Sequence, residues 1–245
     1  MRKTIIIMLP LFIVGVIMFL GCSEECEPYD DSYLCNPNEP VVLNGLTVPE
    51  GRIERGPYAC PIEIDISGMH ISSPNCIDGI ENYSSMLENL SLGSNELDSI
   101  DLSPLSSCGR LEVLNFYGNQ LSSVDLSPLV DCTNLWWLRL QENQLTTIDL
   151  TPLSSCINLE MLSLEDNFLT SIDLAPLAYC TNLKYFNLYN VPMTSIDITP
   201  LWDLSLNHLD IDGITWDSAS CAIICQYEEE HPNCNIQHDC DCGGK

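Results

Sequence analysis

The sequence predicts an α/β solenoid: a right-handed coil of about six turns plus caps, with a parallel β-sheet on its concave face and short helices or 3₁₀ turns on its convex face. Three observations carry this prediction. Leu87, Leu111, Leu135, Leu159 and Leu183 recur at a spacing of 24, and a fixed period of that length marks stacked supersecondary units. Each leucine is followed by apolar residues in the fourth and sixth places, from Leu90 and Leu92 to Phe186 and Leu188, and Asn95, Asn119, Asn143 and Asn167 fill the ninth. The second half of each unit holds an aspartate in register (Asp101, Asp125, Asp149, Asp173, Asp197), then Ser, Thr or Ala, then proline. No unit could bury its leucines alone, so each needs a neighbour.

The chain of 245 residues opens with Arg2 and Lys3, an uncharged run from Ile5 to Leu20, and Gly21-Cys22. This reads as an export signal over 1–21. A small residue followed directly by cysteine resembles the lipobox of prokaryotic lipoproteins, although Phe19 stands where that family prefers leucine; the resemblance implies a lipid anchor on Cys22. The alternative is an uncleaved signal anchor with Arg2 and Lys3 on the cytoplasmic side. Both put everything after Cys22 in the cell envelope, membrane-anchored and facing away from the cytoplasm. Residues 22–40 are polar and acidic without periodicity and read as a tether, within which Cys26 and Cys35 could close a small loop.

Residues 41–86 form an N-terminal cap whose IDISGMHI, Ile64 to Ile71, is a degenerate first coil. Cys60 and Cys76 flank it and are candidates for a disulfide that staples the exposed end of the core. From 87 to 216 the units follow one line, L-x-x-L-x-L-x-x-N-x-L, which resembles the leucine-rich repeat family. That resemblance covers 64–216. It implies a strand at each L-x-L and a turn beyond it whose buried Asn satisfies backbone groups. Two late units depart, with Val191 and Ile214 in the Asn place. On the convex side, Ser or Thr before Pro104, Pro128, Pro152 and Pro200 fits an N-cap with proline in the first helical position. The five aspartates could attract calcium only with more ligands than one carboxylate per coil supplies; each can instead cap its own turn. Cys108, Cys132, Cys156 and Cys180 also repeat every 24 residues and resemble the cysteine of the cysteine-containing repeat subclass, a small buried hydrophobe.

Residues 217–245 form a cysteine-rich C-terminal cap and tail, with Cys221, Cys225, Cys234, Cys240 and Cys242 beside His231 and His238. In an exported chain these read as a disulfide-stapled cap; zinc is the alternative, but the spacing does not match a zinc finger. A short helix is expected over Ser218 to Tyr227, with Cys221 and Cys225 one turn apart.

The places that are not core leucines project from the sheet. Trp137, Met161 and Tyr185 share the third place; Arg139 and Asn187 the fifth; Tyr117 and Tyr189 the seventh. This is the composition of an interface, with Trp136 at its rim. The net charge of −27, which becomes −29 without Arg2 and Lys3, excludes nucleic acid as a partner, because phosphate binding needs Lys and Arg. No cofactor, metal or catalytic residue is expected: the four histidines lie near no recognisable nucleophile, base and orienter. The repeat family's members mostly mediate protein interactions, so the resemblance implies recognition of a surface protein, peptide or glycan through the concave face. Self-association of an envelope protein is the alternative, and a metal or thiol enzyme using the tail is a third.

Overall fold

The computed structural model describes residues 41–43, 46–55, 61–216 and 218–242; the signal, the tether, Cys22, Cys26, Cys35 and Cys60 lie outside them. The N-terminal part contributes a two-residue hairpin, β1 (Val42–Leu43) and β2 (Leu46–Thr47), then β3 (Ile53–Arg55) and β4 (Pro61–Asp65). One three-residue strand follows per coil: β5 (Asn89–Ser91), β6 (Val113–Asn115), β7 (Trp137–Arg139), β8 (Met161–Ser163), β9 (Tyr185–Asn187) and β10 (His208–Asp210). The helix α1 (Ser218–Glu230) and a last strand, β11 (Asn235–Gln237), complete the order.

Strands β3 to β11 form one nine-stranded sheet in chain order, and β1 and β2 pair in a separate two-stranded one. Every pair from β4 to β11 is parallel, while β3 adds antiparallel at the N-terminal edge. Register repeats without slippage, so Val113, Trp137, Met161, Tyr185 and His208 stand beside one another. The middle residue of each strand, from Leu90 to Leu209, is buried, and its two neighbours are more exposed except at Asp210, which is itself buried. Strand β11 was not expected: the tail does more than cap the coil, since Asn235–Gln237 continues the sheet and Ile236 packs on the core.

Four asparagines hold each coil to the one before. Asn143 Nδ2 donates to Phe116 O at 3.0 Å and Leu140 O at 3.1 Å, while its Oδ1 accepts from Leu121 N at 3.0 Å. Asn95, Asn119 and Asn167 repeat the arrangement, and all four are at most 7 % exposed. A second column, absent from the sequence reading, acts at the other end of the strand: Asn134, Asn158 and Asn182 each donate to a carbonyl of the preceding coil, Gly109, Thr133 and Ile157, at 2.8–3.0 Å.

The convex side carries five-residue 3₁₀ helices at Ser103–Ser107, Ser127–Asp131, Thr151–Ser155 and Ala175–Tyr179, and a shorter one at Thr199–Leu201. The capping departs from one expectation, the Ser or Thr N-cap, and follows the other, an aspartate capping its own turn. Ser103 and its counterparts are the first helical residues, with proline second, and the N-cap is the leucine before them. The carboxylate two residues upstream takes the free N–H instead: Asp101, Asp125, Asp149, Asp173 and Asp197 each accept from the backbone at 2.8–2.9 Å. An Asx turn suits this place because a tight 3₁₀ turn leaves that N–H without an intrahelical acceptor. Behind these helices Cys108, Cys132, Cys156 and Cys180 are fully buried free thiols. Burial pushes the first three up to about 12 and the fourth to about 11, so they pack as inert hydrophobes.

The C-terminal end is closed by α1, whose Ile224 and Tyr227 are buried. Cys221 joins Cys240 and Cys225 joins Cys242, tying the helix to the tail behind β11. Two candidates depart from the disulfide expectation. Cys234 is a half-buried free thiol packed on the core, and Cys76 is a free thiol buried among Ile77 and Ile80, while its expected partner Cys60 lies outside the described residues.

Candidate binding surface

The outward-facing columns of the sheet are the candidate site, and their chemistry changes along the solenoid. At the N-terminal end most of the polar groups satisfy one another, Asn89 Oδ1 being a buried exception. Arg52 Nη1 donates to Asp65 at 3.3 Å and to Ser67 O at 3.0 Å; Ser67 and Ser91 hydroxyls are 2.8 Å apart; Asn115 Nδ2 donates to Ser91 Oγ at 2.8 Å, and its Oδ1 accepts from Tyr117 N at 3.0 Å. A surface already bonded to itself has little left to offer a ligand.

The centre is aromatic. Trp136 and Trp137 do not part to opposite faces: their rings lie 5.5 Å apart at 32°. This happens because Trp136 precedes the strand, so strict alternation does not yet bind it. The Arg139 guanidinium lies 4.9 Å from the centroid of Trp137 and 5.4 Å from that of Tyr117, within the range of cation–π attraction. With the Gln141 amide turned oxygen-first, that oxygen accepts from Arg139 Nη2 at 2.8 Å and Nε at 3.1 Å. Gln141, in the same seventh place as Tyr117 and Tyr189, therefore holds the guanidinium. Among the described residues, Arg52, Arg55, Arg110 and Lys184 each have a carboxylate within 4.0 Å, whereas Arg139 has rings and an amide.

Toward the C-terminal end the rings are open. Tyr185 is 41 % and Tyr189 43 % exposed, and Met161 pairs in register between Trp137 and Tyr185. Asn187 Oδ1 is occupied by Tyr189 N at 2.9 Å. Two polar atoms here are buried without a hydrogen-bond partner, Trp137 Nε1 and Glu165 Oε2. Burial first, then the nearby Asp166 carboxylate, holds Glu165 above the usual carboxylate range, and Arg139 partly offsets this. The structure thus brings Tyr117, Trp136, Trp137 and Arg139 into one cluster and continues the surface through Met161 to Tyr185.

On the flank beyond the strands, the eighth place is left-handed in every coil: Gly68, Ser94, Gly118, Glu142, Asp166, Asn190 and Gly213 have φ between 53° and 81°. This turn persists where the asparagine ladder ends. A groove of about 390 Å³ opens beside it, lined by Asp166, Phe168, Asn190 and Pro192.

The tail contains no assembled catalytic group among the described residues. His231 places Nδ1 2.9 Å from Tyr227 O and Nε2 2.9 Å from Trp202 O, a structural clamp between α1 and the last coil. Ligand atoms of Glu228, His238 and Cys242 lie within 4.8 Å of one another, but Cys242 is bound to Cys225 and is not a thiolate.

Residues 85–145 match the family model described as leucine rich repeat. A search of the curated proteins returns no match. Among solved structures, a leucine-rich-repeat protein of Leptospira interrogans is 22 % identical over 64 % of this chain and 44 % of its own, with a TM-score of 0.47. An internalin from Listeria monocytogenes is 22 % identical over 71 % of this chain and 51 % of its own, also with a TM-score of 0.47. The chain spans about half the length of each. Leucine-and-asparagine coils, one parallel strand per coil and 3₁₀ turns behind them make this a leucine-rich-repeat solenoid, with 85–145 the stretch that matches the family's own model.

Proposed function

We propose that the chain is an envelope-anchored recognition module that binds a segment of a surface protein along the C-terminal half of its concave sheet. Cys22 holds it to the membrane in this reading, and the tether over 22–40 lets the solenoid reach a partner. The observation that carries the proposal is the in-register row Trp137, Met161 and Tyr185, with the Arg139 guanidinium 4.9 Å from the Trp137 ring centroid. Rigid aromatics and a pre-oriented arginine lose little conformational freedom on binding, and such residues supply most interface hot spots. No catalytic role is part of this reading.

The test is capture of surface-protein extracts by the full chain, compared with Trp137→Ala and Tyr185→Ala. Loss of the captured protein is expected, with far-UV circular dichroism unchanged because neither ring belongs to the core. Equal capture by both variants would refute the concave site. Concentration-dependent light scattering abolished by Trp137→Ala would show instead that the row joins copies of the chain.

A further inference from the structure

Because the solenoid repeats its geometry every 24 residues, an occupied place in one coil is a template for the same place in the next. Arg139 occupies the fifth place of its coil, above Trp137, with the Gln141 oxygen accepting two of its N–H groups. One period on, Ser163 pairs in register with Arg139, and Glu165 stands where Gln141 stood. The acceptor has been kept and made anionic, but the cation is gone. Glu165 Oε2 accordingly lacks a donor among the described residues. Tyr185, in register with Met161 on the far side, offers an exposed ring.

We propose that the place above Ser163 receives the guanidinium of an arginine in the partner's peptide segment, paired with Glu165 as Arg139 is paired with Gln141 one coil earlier, and that the exposed Tyr185 ring of the next coil supplies a face for it. The inference rests on the concave-face reading above and narrows its partner to a basic segment. Charge complementarity selects a cation. The chain carries −27, and the other four described cations are already matched to carboxylates. The carboxylate at Glu165 is desolvated and lies in the field of Asp166 and Asp210, which disfavour its charge, with Arg139 one coil away offsetting only part of this; an incoming cation completes the compensation. An acidic segment would meet the same carboxylates with the wrong sign. Arginine fits better than lysine, because a planar fork matches both a carboxylate and a ring face.

The experiment is isothermal titration calorimetry of the full chain in detergent micelles with a synthetic hexapeptide of alternating Arg and Leu. Two control peptides replace Arg by citrulline, the uncharged isostere, or by Glu. Saturable binding is expected for the Arg peptide, weakened about tenfold by citrulline or by Glu165→Gln, as befits loss of one charge-assisted hydrogen bond. Ser163→Arg supplies the cation from within and should abolish binding while leaving the melting temperature unchanged or higher. Binding of the Arg peptide that survives Ser163→Arg, or equal binding of the citrulline or Glu peptide, overturns the proposal. If Trp137→Ala loses its captured surface protein but the Arg peptide never binds, the arginine assignment falls and the concave site stands. If neither is seen, both fall.

Discussion

Single side chains decide how the coils adhere. Asn143, at 5 % exposure, takes the Leu121 N–H on its Oδ1 and shares two carbonyls with the adjacent rungs, Phe116 O with Asn119 and Leu140 O with Asn167. Asn143→Ala would leave those carbonyls their other donors but strand the Leu121 N–H inside the core, where an unsatisfied group costs roughly 1–3 kcal/mol. We expect a loss of that size, read as a lower urea midpoint. Val191 and Ile214, in the same place, are 1 % and 2 % exposed, so the ladder gives way to apolar packing toward the C-terminus. Glu165 works in the opposite sense. Its carboxyl titrates above the usual range because burial opposes its charge, so its ionised form costs stability once pH passes the raised value. Glu165→Gln should therefore melt higher than the wild type at pH 7, with the difference shrinking as pH falls through the raised pKa toward the ordinary value of 4.5.

Among the elements, the convex turns have the clearest pH signature. Hydrogen bonds from the following Ser or Thr hold Asp101, Asp149 and Asp197 below the ordinary 3.8. A depressed carboxylate contributes stability that is fully present above 3.8 and is lost as pH falls through the lowered, folded-state value. Acid melting should thus begin in the 3₁₀ turns, and the gap in melting temperature between wild type and Asp149→Ala should narrow as acid protonates the carboxylate. A gap independent of pH would assign the turn's stability to its proline. The turns were legible as turns from Asp-x-Ser/Thr-Pro, yet which residue caps was not. Asp and Ser are both good caps, and only the backbone path decides which oxygen meets the free N–H. Strand β11 was hidden for a similar reason, since NIQ has one apolar residue and gains its place by pairing with β10.

For the whole molecule, the exposed end of the core sets the limit. A solenoid has no closed surface, and its last coil must be covered. Here α1 does so with Ile224 and Tyr227, fastened by disulfides that span 19 and 17 residues. Loops of that length are stabilised by about 3 kcal/mol per bond in the chain-entropy account. Replacing Cys221 and Cys240 with Ser should lower the melting temperature and increase hydrogen exchange first in β10 and β11, with β6 and β7 affected less. Uniform loss of protection along the sheet would show that the coils unfold as one unit.

The sequence by itself determined the period, the inward leucines, the asparagine ladder and the columns containing Trp137, Met161 and Tyr185, because a strict 24-residue repeat places equivalent residues in equivalent positions. It did not decide which members of a column interact. That Gln141 clasps Arg139, that Trp136 folds beside Trp137, and that Glu165 is left with an unanswered oxygen follow from the rotamers these side chains adopt on the assembled sheet. Those rotamers depend on packing against the adjacent coils, 24 residues away in sequence, and no local pattern in the chain encodes them.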